Sequence, residues 1–132
     1  EVELGILDDA LRKLDARHDF LVVEGAGGLL VPAAPGLSMA DLALRWQLPV
    51  VIVARASLGT INHTRLTVEA ARARGLEVRG LVLSHANGPL SDADAANLEE
   101  LRADPGVPLL AEIPPLADGQ EPDPISLIPH AR

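Results

Sequence analysis

A short apolar run, Phe20-Leu21-Val22-Val23, ends in Glu24 and is followed by Gly25-Ala26-Gly27-Gly28. That order sets a carboxylate at the end of an extended segment, beside backbone with almost no side chains, where a substrate or phosphate can come close. An ionised carboxylate is also an oxygen ligand of the kind Mg²⁺ takes. A tight turn with a solvated Glu24 fits the same residues, since glycine turns commonly follow strands. A second constellation, Leu58-Gly59-Thr60-Ile61-Asn62-His63, opens a long helical pattern. Gly59 admits an unusual backbone angle, Thr60 or Asn62 can cap the helix, and N–H groups at a helix start attract a carboxylate or phosphate. An ordinary capped helix with His63 facing solvent also meets this description. A third, Glu112-Ile113-Pro114-Pro115-Leu116 with Glu121 beyond it, either walls a nucleotide base or closes a sheet edge. Asp41 reads as a solvated acid on a helix face. His18, His85 and His130 have no spacing that resembles a metal triad and read as surface residues. Neither a Gly-x-Ser-x-Gly elbow nor a Gly-x-Gly-x-x-Gly turn occurs, so hydrolase and dinucleotide readings lack their usual motif.

These groups need elements to hold them. Leu4, Leu7, Leu11 and Leu14 recur at helical spacing with charged residues between, which predicts an amphipathic helix over Val2–Ala16 that covers a sheet. Phe20–Val23, Val50–Val53, Leu81–Leu83 and, more weakly, Leu109–Ala111 are continuous apolar runs, the pattern of parallel strands buried on both faces. Between them Ser38 can cap a helix running through Asp41 to Trp46, Ile61–Arg74 is amphipathic with Gly75 as C-cap, and Ser91 opens a helix to Arg102. Alternating helix and strand predicts an α/β fold with a mainly parallel sheet and right-handed crossovers, whose ligands bind at the carboxyl ends of the strands. No repeat and no internal domain boundary is visible over residues 1–132. From Pro105 onward the chain is proline-rich, which reads as an ordered loop segment.

Composition narrows the classes. The 132 residues carry a net charge of −8 and are 48% apolar, too apolar for a disordered segment and enough for one core. Phosphate-rich partners need clustered Lys and Arg, and Arg72, Arg74 and Arg79 have Glu69 and Glu77 among them, which argues against nucleic acid. The longest apolar runs fall far short of the ~20 residues of a membrane helix. The absence of Cys removes disulfides and thiolate metal sites and suits a reducing cytoplasm. Lys13 is the only lysine, and the chain starts with Glu1 rather than Met, so it is expected to be a piece of a longer protein.

Taken in order, DFLVVEGAGGLLVP, MADLA, LPVVIVARASLGTINHTRLT, RGLEVRGLVL and AEIPPL resemble dethiobiotin synthetase, the ATP-dependent enzyme of biotin synthesis, over Asp19 to Glu121. The VEGAGG element is also similar to cobyrinic acid diamide synthetase-type enzymes; LGTINH after LPV is the more specific match. A non-catalytic dimerisation module is the alternative of a different class. The resemblance implies a P-loop NTPase-like fold, a cytoplasmic homodimer, ATP as co-substrate with Mg²⁺, and ring closure of 7,8-diaminopelargonic acid with CO₂. By motif, Glu24 matches the magnesium-binding glutamate, and Gly25, Ala26, Gly27 and Gly28 would lie beside the diamine. Leu58, Gly59, Thr60, Ile61 and Asn62 would take its carboxylate across the dimer interface. Ser84, Pro114 and Glu121 match nucleotide-binding positions.

Two departures qualify the match. The family's phosphate loop ending in Gly-Lys-Thr has no counterpart, since Lys13 is followed by Leu14 in a helical pattern, so this chain alone is expected to be inactive and to carry no catalytic residue of its own. Ser84 stands where the family usually has an asparagine that reads adenine, and it offers fewer hydrogen bonds.

Overall fold

The structure, a computed structural model, describes residues 3–85 and 90–116. They fall into two compact units, residues 1–47 and 48–132, each described by itself.

The first unit begins with α1 (Leu4–Asp15), close to the predicted span. It has no buried residue, and Ile6 and Leu14 stand exposed. What holds it is polar: Asp8 accepts from Arg45 (Nε at 3.0 Å, Nη2 at 2.6 Å) and from the indole N–H of Trp46 at 2.8 Å. The predicted first strand is a correction. Phe20–Val23 is irregular, with Phe20 82% and Val22 81% exposed. A strand exists only by exchanging backbone hydrogen bonds with a neighbour, and no described segment pairs with this one. Instead, β1 (Pro32–Ala34) and β2 (Leu37–Ser38) form a small antiparallel pair that the apolar pattern did not announce. It leads into α2 (Met39–Arg45). Ser38 caps α2 as expected, but Asp41 is no solvated acid. Its carboxylate accepts from the Ser38 N–H at 2.7 Å while Ser38 Oγ accepts from the Asp41 N–H, a reciprocal capping box.

The second unit is a three-stranded parallel sheet in the order β3 (Val50–Arg55), β4 (Val78–Ser84), β5 (Leu109–Ile113), as expected for the later apolar runs. α3 (Thr60–Ala73) links β3 to β4, and α4 (Asp92–Ala103), capped by Ser91, links β4 to β5. Arg74 is the C-cap of α3 and Gly75 lies one residue beyond, where Gly75 donates to Arg72 O and Leu76 to Ala71 O in a Schellman closure. The core gathers Val68 from α3, Leu98 and Leu101 from α4, and Leu81 and Leu83 from β4, with Ile52, Ala54 and Leu109 packed against them. Burial on both faces is not seen: β3 alternates, with Ile52 and Ala54 inward and Val51 and Val53 exposed, because both helices pack on the same side. On β4, Gly80 is required by close approach, since a Cβ there would sit 2.5 Å from Leu110 Cγ and 2.7 Å from the Pro108 carbonyl oxygen. No helix among the described residues is long and apolar enough to cross a membrane.

Candidate functional site

In the first unit, Glu24 is exposed and has no hydrogen bond or ion pair among the described residues. The glycine turn behind it passes through Gly27 at φ +83° and closes with the Val31 N–H donating to Gly28 O at 3.0 Å. Leu29 O and Val31 O then accept from Ala40 and Met39 N–H, so the turn is fastened to the start of α2. The result is a bare, anchored backbone with one unpaired carboxylate before it. No cluster of three or more His, Asp or Glu that could hold a metal stands among the described residues. One carboxylate completed by phosphate oxygens and water is an ordinary Mg²⁺ set, so Glu24 fits as a contributing ligand.

In the second unit, Gly59 is the N-cap of α3 at φ +85° and offers no side-chain cap, which corrects the capping role considered for Thr60 or Asn62. The left-handed turn at Gly59, a conformation that needs no Cβ, brings Thr60 N–H onto Ser57 O at 3.1 Å and Thr60 into the first helical turn. There Thr60 is only 5% exposed and its Oγ1 has no hydrogen-bond partner. The first-turn N–H groups of a helix have no intrahelical acceptor, and the dipole adds positive potential at the same end. Leu58 to Asn62, with Arg65 and Asn97, line an open depression of about 510 Å³ there. His63 is exposed.

At the carboxyl ends of the strands, register sets Arg55, Ser84 and Ile113 side by side. Ser84 O accepts from Ala56 N–H at 2.8 Å, and His85 N–H donates to Ile113 O at 3.0 Å, which ties the three strand ends together. His85, expected on the surface, is 9% exposed with Nε2 2.5 Å from Glu112 Oε1. Glu112 belongs to β5 rather than to the loop after it, and its carboxylate also takes a forked pair of bonds from Arg102 of α4, Nε to Oε2 at 2.9 Å and Nη2 to Oε1. The Arg102 guanidinium, helped by His85 and opposed by partial burial, holds the Glu112 carboxyl below the usual glutamate range. Sequence reasoning missed this cluster. Its one signal was the position of Glu112 ahead of Pro114, because partners ten and twenty-seven residues away carry no local pattern. His85, Glu112, Pro114 and Pro115 line a second depression of about 490 Å³. Glu121 and His130 lie outside the described residues.

An AAA domain family model matches residues 1–123. The chain belongs to that family. Membership puts its parallel sheet and flanking helices in the α/β, P-loop NTPase-like class. This AAA domain is 48% identical over 130 residues to an ATP-dependent dethiobiotin synthetase of Anaeromyxobacter dehalogenans strain 2CP-C, covering 98% of this chain and 51% of that protein. It is 56% identical over 92 residues to the protein of the same name from strain 2CP-1, which covers 70% of this chain and 41% of the relative. To that of Saccharopolyspora erythraea it is 42% identical over 124 residues, 94% of this chain and 54% of the relative. The chain thus spans about half the length of these curated relatives.

Proposed function

We propose that this chain is the carboxyl-terminal part of one dethiobiotin synthetase-like domain, an ATP- and Mg²⁺-dependent cyclising ligase of biotin biosynthesis acting as a cytoplasmic homodimer. In the reaction, one amine of 7,8-diaminopelargonic acid takes up CO₂ to give a carbamate and releases a proton. The carbamate oxygen attacks the γ-phosphorus of ATP, ADP leaves, and a carbamic-phosphoric anhydride forms. The second amine attacks its carbonyl carbon, phosphate departs, and the ureido ring closes.

The observation that supports this reading is the start of α3, where Gly59 turns the chain so that the Ile61 and Asn62 amides, which lack an intrahelical acceptor, lie at one depression. A chain-end carboxylate suits such amides, and it is the anionic tail of this diamine. Leu58 to Asn62 hold that tail from one protomer while Gly25 to Gly28 let the amines of a substrate bound to the other lie against bare backbone. Glu24 is the residue of this chain that would hold Mg²⁺, which when bound neutralises phosphate charge. Ser84, Pro114 and Glu121 border the nucleotide. Transfer also needs a phosphate loop with its lysine, which the remainder of the full-length protein must supply.

The test is phosphate release by the full-length protein. It should require ATP, Mg²⁺, bicarbonate and the diamine together, and Gly59→Ala should raise KM for the diamine while leaving KM for ATP in place. Phosphate release indifferent to the diamine would refute the reading, and robust turnover by residues 1–132 alone would refute the need for a separate phosphate loop.

A further inference from the structure

Arg55 closes β3 at the carboxyl edge of the parallel sheet, the side on which open α/β sheets take their ligands. It is exposed, and among the described residues its guanidinium has no hydrogen bond and no ion pair. The other described arginines of this unit are all engaged. Arg65 reaches Asp104, Arg72 the Gly106 carbonyl, Arg74 the Ala70 carbonyl, Arg79 Glu77 and Arg102 Glu112. The difference is one of place, not of a shortage of acids, which outnumber Lys and Arg 19 to 11 in the chain. Register sets Ser84 beside Arg55 and Ile113 beyond it, and neither is charged. Side chains alternate along β3, and Ile52 and Ala54 turn to the helices, so Arg55 leaves with Val51 and Val53 on the open face. Its backbone is fixed by pairing with β4, while its head group presents a planar fork of N–H donors. Such a fork matches two oxygens of a carboxylate or of a phosphoryl group.

We propose that Arg55 is a further substrate-binding residue, its guanidinium holding an oxyanion of the reacting groups, the γ-phosphoryl of ATP or the carbamate that attacks it. This rests on the reading that phosphoryl transfer to a carbamate takes place at these strand ends. It gives this chain a cation of its own for that chemistry, beside whatever the remainder of the full-length protein supplies.

The test uses the full-length protein and reads direct binding of ATP, of ADP, and of the diamine with bicarbonate, apart from any turnover. Arg55→Gln keeps most of the side chain's length and removes its charge. If the γ-phosphoryl is held, this variant should bind ATP roughly 10- to 100-fold more weakly while ADP stays within about twofold. If the carbamate is held, both nucleotides should stay and the diamine with bicarbonate should weaken by that factor. Arg55→Lys, with the charge but not the fork, should recover part of the loss in either case, and it keeps the comparison open should Arg55→Gln not fold. The urea midpoint should hold in both variants, since no described residue leans on this side chain. Unchanged binding of ATP and of the diamine overturns the inference. So does a loss shared equally by ATP and ADP, or a lowered midpoint with intact binding, which would mark a structural ion pair. Loss of ATP binding in Arg55→Gln, in a protein whose phosphate release ignores the diamine, would leave the oxyanion contact standing while the proposed function falls. Diamine-dependent release with binding untouched in Arg55→Gln would do the reverse.

Discussion

The described residues of 48–132 close around Leu81, Leu83, Leu98 and Leu101, all fully buried, whereas among the described residues of 1–47 only Ala34, Ala40 and Leu42 are buried. The contrast is sharpest in two runs of the same make. Val50–Val53 has β4 beside it, paired along its length with one register shift between Val50 and Val51, and helices over one face. Phe20–Val23 has neither neighbour nor cover and stays irregular. An apolar, β-branched run is therefore permission to form a strand, and the hydrogen-bonding partner decides whether it does. The second unit holds its own partners; the first has a polar tie, a capped short helix and a glycine turn.

The comparison is most easily broken at the cores. Leu81→Ala in the second unit should cost about 2–5 kcal/mol, read as a drop in urea midpoint, because it empties a site walled by both helices. Phe20→Ala in this 132-residue chain should fall within about 0.5 kcal/mol of no change. A large cost there would mean that the run is buried after all. If the full-length protein supplies strands beside Phe20–Val23, the same substitution in that context should rise to roughly 3–5 kcal/mol.

Next in size is Gly80→Ala. The added methyl meets Leu110 and the Pro108 carbonyl, whose oxygen also accepts from Leu81 N–H at 2.8 Å, so backbone must yield as well as side chain. Overpacking of this kind costs about 1–3 kcal/mol, and hydrogen exchange should show the loss at β5 amides. Smaller again is Ser38→Ala in the first unit, which removes one half of the capping box and should cost about 1 kcal/mol, seen as faster exchange in α2 alone. An equal disturbance of β3 to β5 would contradict the separation of the two units.

Much of this was legible beforehand. The later three strands and all four helices follow from periodicity, with Ser38 and Ser91 marking starts and Gly75 an end. Glu24 and the Gly59 turn stand out as residue types out of place in a plain fold. What the sequence hid was relational. The His85–Glu112–Arg102 cluster joins residues from β4's end, β5 and α4, and no local pattern carries that. Asp41 became a capping partner because Ser38 lies three residues before it, a capping box that hydrophobic periodicity does not register. The false strand at Phe20 came from reading a preference as a structure, and the exposed Val51 and Val53 from assuming that both faces of a parallel sheet are covered.

The smallest effect tests the tie on which the first unit leans. Hydrogen bonds from Arg45 and then Trp46 hold the Asp8 carboxyl down to about 2, against an ordinary aspartate near 3.9. A depressed acid stabilises the folded form at pH values above its unfolded pKa, and that contribution is lost as pH falls through the folded value. The link between α1 and α2 should therefore be intact above about pH 4 and fade toward pH 2. Trp46 is the only tryptophan, so its emission in this chain reports the event directly. It should shift across that window while β3 to β5 amides keep their protection, and the shift should vanish in Asp8→Ala, whose indole is released at every pH. An acid transition of the same midpoint in Asp8→Ala would place its cause elsewhere and remove the polar tie from the account of why a unit with so little core keeps its two helices together.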